Sequence, residues 1–209
     1  MRKAIIFCNN NYDDFAPDYP LDGVIIAADG GAEYLKSQNI TPDILIGDFD
    51  SLSEEILHFF HGKTKVLRYP EKKNKTDSEL AMDFCAKEGY GEIVLINAVN
   101  GQLEHSLANI FIAEKYVQKG IKINFINRNS EIFVLHGKEK LTLKTHKGQN
   151  VSLIPLSDDV DVDIIQGFQY PLIKETLYRV TTRGVSNVAK KQEVSVSISA
   201  GTLLLIRGR

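Results

Sequence analysis

The chain has 209 residues, 43% of them hydrophobic and 25% charged, with a formal net charge of -2. That length suits two modest domains with a substantial core. The near-neutral charge speaks against nucleic-acid binding, and no apolar run approaches the roughly 20 residues of a membrane-spanning helix.

After a basic start, the apolar stretch at 4–8 ends in Asn9-Asn10-Asn11, which reads as a first strand and not as a signal peptide. Further apolar runs at 24–28, 44–46, 65–67, 93–96 and 122–126 predict strands. Helical stretches at 31–38, 54–60, 76–88 and 104–119 lie between them. Most of the strands are apolar throughout, as expected of a parallel sheet buried on both faces. The third helix opens Thr76-Asp77-Ser78-Glu79, a capping box with Thr76 as N-cap. The fourth carries Leu107, Ile110, Phe111, Ile112, Tyr116 and Val117 and is expected to be buried nearly all round.

Beyond Asn127 the helical period disappears. Short alternating segments at 131–135, 140–144, 150–154, 160–165, 194–199 and 202–206, punctuated by Gly and Asp, predict a small all-β sandwich or barrel. The fold class is therefore α/β, with a parallel-sheet domain over 1–127 followed by a smaller all-β domain over 128–209. Cys8 and Cys85 lie far apart and form no CxxC, which predicts two buried thiols in a reduced, cytoplasmic protein.

Acidic residues fall where an open α/β sheet keeps its ligands, beyond the carboxyl ends of strands. Asp29 follows one strand, Asp48 and Asp50 follow another, and Asp77 opens a helix. In an extended segment Asp48 and Asp50 would point the same way with Phe49 packed behind them. Converging carboxylates call for a cation, and Mg²⁺ held by a few carboxylates, waters and phosphates fits phosphate chemistry. The structural alternative is that these are turn and cap residues, Asp50 capping the helix near Ser53. Gly30-Gly31, between Asp29 and a helix, would let a phosphate approach the backbone. Arg68, Lys72, Lys73 and Lys75 precede Asp77 and would suit a polyphosphate, although Lys72 and Lys73 read more simply as a solvated loop. Gln102 and His105 can share a helix face, and His105 is either a nucleotide contact or a structural histidine. Walker A, GxGxxG, HExxH and nucleophile-elbow patterns are absent.

Taken in order, Ala28-Asp29-Gly30-Gly31-Ala32, Pro42 to Ser51 with its Gly-Asp-Phe-Asp-Ser core, Lys75-Thr76-Asp77, Gly101 to Asn109, Gly167 to Leu172, Gly184-Val185-Ser186-Asn187 and Gly201 to Leu204 resemble the thiamine pyrophosphokinase family over nearly the whole chain. The resemblance implies an N-terminal Rossmann-like catalytic domain, a C-terminal β-sandwich, and a homodimer whose active sites form where one subunit's α/β domain faces the other's β domain. It implies ATP and thiamine as substrates, Mg²⁺ as cofactor, and AMP and thiamine diphosphate as products. By position, Asp29, Asp48, Asp50 and Asp77 would serve metal and phosphates, with Asp48, Asp50 and Asp77 as the catalytic carboxylates. Asp29, Gly30, Gly31, Ser51, Lys75, Thr76, Gln102 and His105 would hold ATP, and Ser186 and Asn187 would lie near the thiamine pyrimidine. Two segments depart from the family pattern. Gly101-Gln102-Leu103-Glu104-His105 stands where Gly-Arg-x-Asp-His is usual, and Val188 where an acidic residue is frequent. A diphosphokinase for another alcohol, or a non-catalytic sensor of thiamine or a nucleotide, are the competing readings.

Overall fold

A computed structural model describes residues 1–9, 12, 19–50 and 52–209. The chain is of mixed α/β type and divides into two units, Met1–Ile112 with Ile123–Arg128, and Ala113–Lys122 with Asn129–Arg209.

In the first unit, strands β1 (Lys3–Phe7), β2 (Val24–Ala28), β3 (Ile44–Gly47) and β4 (Lys65–Arg68) alternate with helices α1 (Gly31–Ser37), α2 (Glu54–Phe60) and α3 (Asp77–Lys87). Next come β5 (Glu92–Ile96), α4 (Leu103–Val117), whose residues from Ala113 on are counted with the second unit, and β6 (Lys122–Ile126). The strand order is β6-β5-β1-β2-β3-β4, and every pair from β5 to β4 is parallel. From β1 the chain winds outward through β2, β3 and β4, then returns to place β5 on the other side of β1. That reversal opens a crevice at the carboxyl edge beside β1 and β5.

Alternation along the strands explains why they are apolar throughout. Ile5, Phe7, Ala27, Leu45, Val94 and Ile96 pack with Ala32 and Leu35 of α1 and with Ile56 and Phe60 of α2. Ile6, Ile26, Ile46 and Leu95, equally buried, belong to the opposite face, and α3 packs on β1, β2 and β3. Thr76 caps α3 as its sequence predicts, its hydroxyl accepting from the Glu79 amide at 3.2 Å, a bond that stabilises a helix by about 1 kcal/mol.

α4 departs from expectation. Ala113 and Tyr116 are buried, but Leu103, Leu107 and Phe111 are 69%, 42% and 56% exposed. These three lie four residues apart and form one open stripe. Its apolar content therefore covers more of the surface than its neighbours bury.

The second unit contains β7 (Ser130–His136), β8 (Glu139–Lys144), β9 (Asn150–Gln166), β10 (Ile173–Tyr178), β11 (Asn187–Val188) and β12 (Glu193–Gly208). β12 is the hub. Its first part pairs antiparallel with β8, its last part with β7, and β9 runs along it. β9 in turn carries β10 and β11. The segments expected separately at 150–154 and 160–165 are one strand, β9, and those at 194–199 and 202–206 are another, β12. Register shifts around Ile198, Ala200 and Gly201 let the long pair bend without breaking. Gly201 has φ +87°, and a Cβ there would lie 2.4 Å from the Asp159 carbonyl oxygen, so only glycine fits. Val194, Val196 and Ile198 face the core as their alternation predicts.

Candidate active site

Three carboxylates converge at the carboxyl edge of the first unit. Asp29, Asp48 and Asp50 each offer an oxygen, and these atoms lie within 4.8 Å of one another. Asp29 follows β2 in a left-handed conformation, φ 45°, its amide donating to Ile46 at 2.8 Å and its side chain 5% exposed as a residue. One of its oxygens accepts from the Asn9 amide at 3.2 Å.

The convergence of Asp48 and Asp50 does not come from an extended segment. Phe49 has φ 64°, a left-handed turn that buries its ring and brings both acids to one side. Such a backbone is costly for a bulky side chain, and residues held this way cluster at functional sites. The capping alternative for Asp50 is also excluded, because the hydroxyl of Ser53 caps α2 by accepting from Ile56. Asp77 occupies the first turn of α3, whose cap is Thr76.

Lys73, expected in a solvated loop, is instead part of this cluster. Its ammonium pairs with Asp48 and with Asp77, the latter at 2.8 Å, and its side chain is 13% exposed. The bond from Lys73 holds the Asp48 carboxyl below the usual range. Burial raises Asp77 in spite of the same lysine, with the neighbouring charges of Asp29 and Asp48 adding to the rise. Burial works against the charge on Lys73, and the two carboxylates outweigh it, so its pKa is raised. Nothing in the sequence pattern distinguishes this lysine from Lys72, which is exposed. Lys75 points elsewhere, its ammonium 2.6 Å from Asp83 and 3.8 Å from Glu79.

Beside the cluster lies a cavity of about 440 Å³. Cys8 and Asn9 contribute from the end of β1 and Asn97 and Ala98 from the end of β5, which is the point where strand order reverses. Thr76, Asp77, Gln102, His105 and Asn109 complete much of the wall. Gln102 and His105 are exposed and thus free to meet a ligand. The loop holding them is fixed by buried amides that the sequence did not single out. Asn127 accepts from the Val99 amide at 3.0 Å, Asn109 donates to Ala98 at 2.9 Å, and Asn97 accepts from Asn100. The Cys8 thiol is pushed up to about 12 by burial, against a hydrogen bond with Ser78, and is an inert wall group.

Gly30 and Gly31 enter α1, and a Cβ on Gly31 would sit 2.1 Å from the Phe7 carbonyl oxygen, so close packing on β1 accounts for that glycine. Ser51 lies outside the described residues. In the second unit Ser186 is exposed with φ 56°, its amide donating to the Ser152 hydroxyl at 2.9 Å. Asn187 is buried. Its side chain accepts from the Tyr170 amide and donates to the Tyr170 carbonyl at 2.7 Å, so it ties the 167–172 segment to β11.

Residues 22–125 match the thiamin pyrophosphokinase catalytic domain, and residues 138–203 match the vitamin B1 binding domain of thiamin pyrophosphokinase. The chain is similar to thiamine pyrophosphokinase of Bacillus subtilis, with 29% identity over 183 residues, 87% of this chain and 86% of that protein. Among solved structures, thiamin pyrophosphokinase from Geobacillus thermodenitrificans aligns with a TM-score of 0.82 at 27% identity, covering 100% of this chain and 98% of that one. A thiamine pyrophosphokinase structure from Bacillus subtilis gives 0.86 at 24% identity over 99% of each chain, a likeness of fold.

Proposed function

The chain belongs to the thiamine pyrophosphokinase family, and from that premise we propose that it transfers a diphosphate from ATP to the hydroxyl of thiamine, giving AMP and thiamine diphosphate. The observation that carries this reading is the meeting of Asp29, Asp48 and Asp50 beside a cavity at the sheet's switch point. An all-oxygen carboxylate set suits Mg²⁺, which keeps several waters and binds through a few carboxylates together with substrate phosphates. Bound there, Mg²⁺ would neutralise charge on the phosphates.

In the proposed reaction the thiamine hydroxyl oxygen bonds to the β-phosphorus of ATP, its proton passes to water, and the bond from that phosphorus to the bridging α-β oxygen breaks to release AMP. Asp48, Asp50 and Asp77 work at this reacting end, and Asp29 completes the metal set. Catalysis is positioning and charge stabilisation, as in other phosphoryl transfers. ATP occupies the cavity, held by Gly30, Gly31, Ser51, Thr76, Gln102 and His105, with Lys75 at its margin. Gln102 brings an amide and no charge, so cationic contacts to the polyphosphate must come from elsewhere.

Residues 1–127 form the Rossmann-like catalytic domain in this reading, and 128–209 a β-sandwich that binds thiamine. The working form is a cytoplasmic homodimer with composite sites, a setting in keeping with the two buried free thiols. Among the described residues no helix is long and apolar enough to cross a membrane. Ser186 contacts thiamine, while Asn187 acts by holding its loop. Ser186→Ala is accordingly expected to raise the Michaelis constant for thiamine several-fold more than that for ATP. Steady-state kinetics with each substrate varied checks this, and the reverse pattern would remove Ser186 from the thiamine site.

The test of the function is AMP release from ATP and Mg²⁺ with and without thiamine, the product being identified by mass. Thiamine-dependent AMP together with thiamine diphosphate is expected. AMP formed only with a different alcohol would make the chain a diphosphokinase of other specificity, and thiamine binding without AMP would make it a sensor.

A further inference from the structure

Asp29, Asp48 and Asp50 gather at one sheet edge, and among the described residues the Lys73 ammonium links Asp48 of this group to Asp77. Lys73 reaches in from the segment between β4 and α3 and ties Asp48, which follows β3, to Asp77, which begins α3. It is largely shielded from water, so its pairing is little screened. Asp48 is also a member of the three-carboxylate group. Its second oxygen already accepts from the Asp50 amide at 3.4 Å. Lys73 and a divalent cation would therefore draw on the same Asp48 carboxylate, and the two cations compete for its charge.

We propose that Lys73 is the resident counter-cation of this site, holding Asp48 and Asp77 together until a divalent metal arrives with the nucleotide, then yielding Asp48 and turning to the polyphosphate. This rests on the family reading of the carboxylates. A lysine is suited to the exchange, being a compact charge on a flexible four-carbon stem. The exchange also supplies the phosphate cation that Gln102 does not. Its consequence is ordered affinity. Metal alone must displace an ammonium and binds weakly, whereas metal and polyphosphate together give the displaced ammonium a new anionic partner and bind well.

The experiment is Mn²⁺ binding to the full chain by calorimetry or electron paramagnetic resonance, without nucleotide, for the wild type and for Lys73→Met, Lys73→Gln and Lys73→Arg. Removing a unit charge this close to the ligands is expected to tighten Mn²⁺ by about tenfold or more in the Met and Gln variants. Lys73→Arg is expected to remain near wild type. The Met and Gln variants should also raise the Michaelis constant for ATP far more than that for thiamine. Mn²⁺ binding that is unchanged or weaker in both neutral variants overturns the proposal while leaving the family reading intact. Absence of Mn²⁺ binding from the wild type and from every variant, with a non-hydrolysable ATP analogue present as well as without it, overturns both the proposal and the metal reading of the carboxylates. Should neither neutral variant fold, the wild type still decides. The ¹⁵N signal of the Lys73 ammonium must shift on adding Mg²⁺ with a non-hydrolysable ATP analogue, and an unmoved signal overturns the proposal.

Discussion

Asp48→Asn is expected to lower AMP release by about a hundred- to a thousandfold, in line with the loss of one preorganised electrostatic contact at a reacting centre. The substitution keeps the shape of the side chain and removes one negative charge from a site where Asp29, Asp48 and Asp50 converge within 4.8 Å. Repulsion among the remaining acids falls, and Lys73 keeps Asp77 as a partner. The loss of the Asp48–Lys73 pair works against that relief, so the melting temperature without metal should fall only slightly. That separation of activity from stability is the signature to look for, by kinetics and thermal melting on the same preparations. Asp50→Asn should behave alike, since Asp50 has no capping duty. Near-normal turnover in both variants would sink the assignment of the metal site.

Gly31→Ala is expected to act in the opposite way, through the fold. The added methyl would lie 2.1 Å from the Phe7 carbonyl oxygen and 2.7 Å from its carbon, both in the backbone of the central strand. Neither side chains nor rotamers can relieve such a clash, so α1 must lift from β1 and disturb the packing of Ala32 and Leu35. A loss of about 3 kcal/mol, at the upper end for overpacking, is expected. In a chain of this length that corresponds to a fall of about 10 °C in melting temperature. Gly62→Ala is the control. Its φ is +73° but nothing lies within 4 Å, so only backbone strain is added and about 1 kcal/mol is expected. Equal losses in the two variants would show that conformation, and not close approach, explains Gly31.

The α/β half was legible because every inner strand is a block of apolar residues ended by Gly, Asp or Asn, and because Thr76 and Glu79 announce a helix start. The position of Asp29, Asp48 and Asp50 after strands was equally readable. The means of their convergence was not, since φ at Phe49 is decided by burial of its ring and leaves no mark on spacing. The place of Lys73 leaves no mark on the sequence for a related reason. A lysine among lysines carries no periodic signal, and only the fold reveals which of them meets two acids. The composition of α4 predicts burial, whereas burial depends on how many neighbours a helix has. In the second unit, Asp and Gly within β9 and β12 looked like turns because their residue types are the same whether a chain reverses or merely bulges.

The hub position of β12 bears on how the chain is made. It pairs with β7, β8 and β9, all of which precede it, and some forty residues separate the end of β9 from the end of β12. At ribosomal speeds of about 5–20 residues per second, those three strands wait for several seconds with unpaired edges. The first unit has no such dependence, because its sheet is complete once Arg128 has emerged. Nascent chains stalled before residue 193 should therefore hold a folded first half and a second half exposed to chaperones and to its own kind.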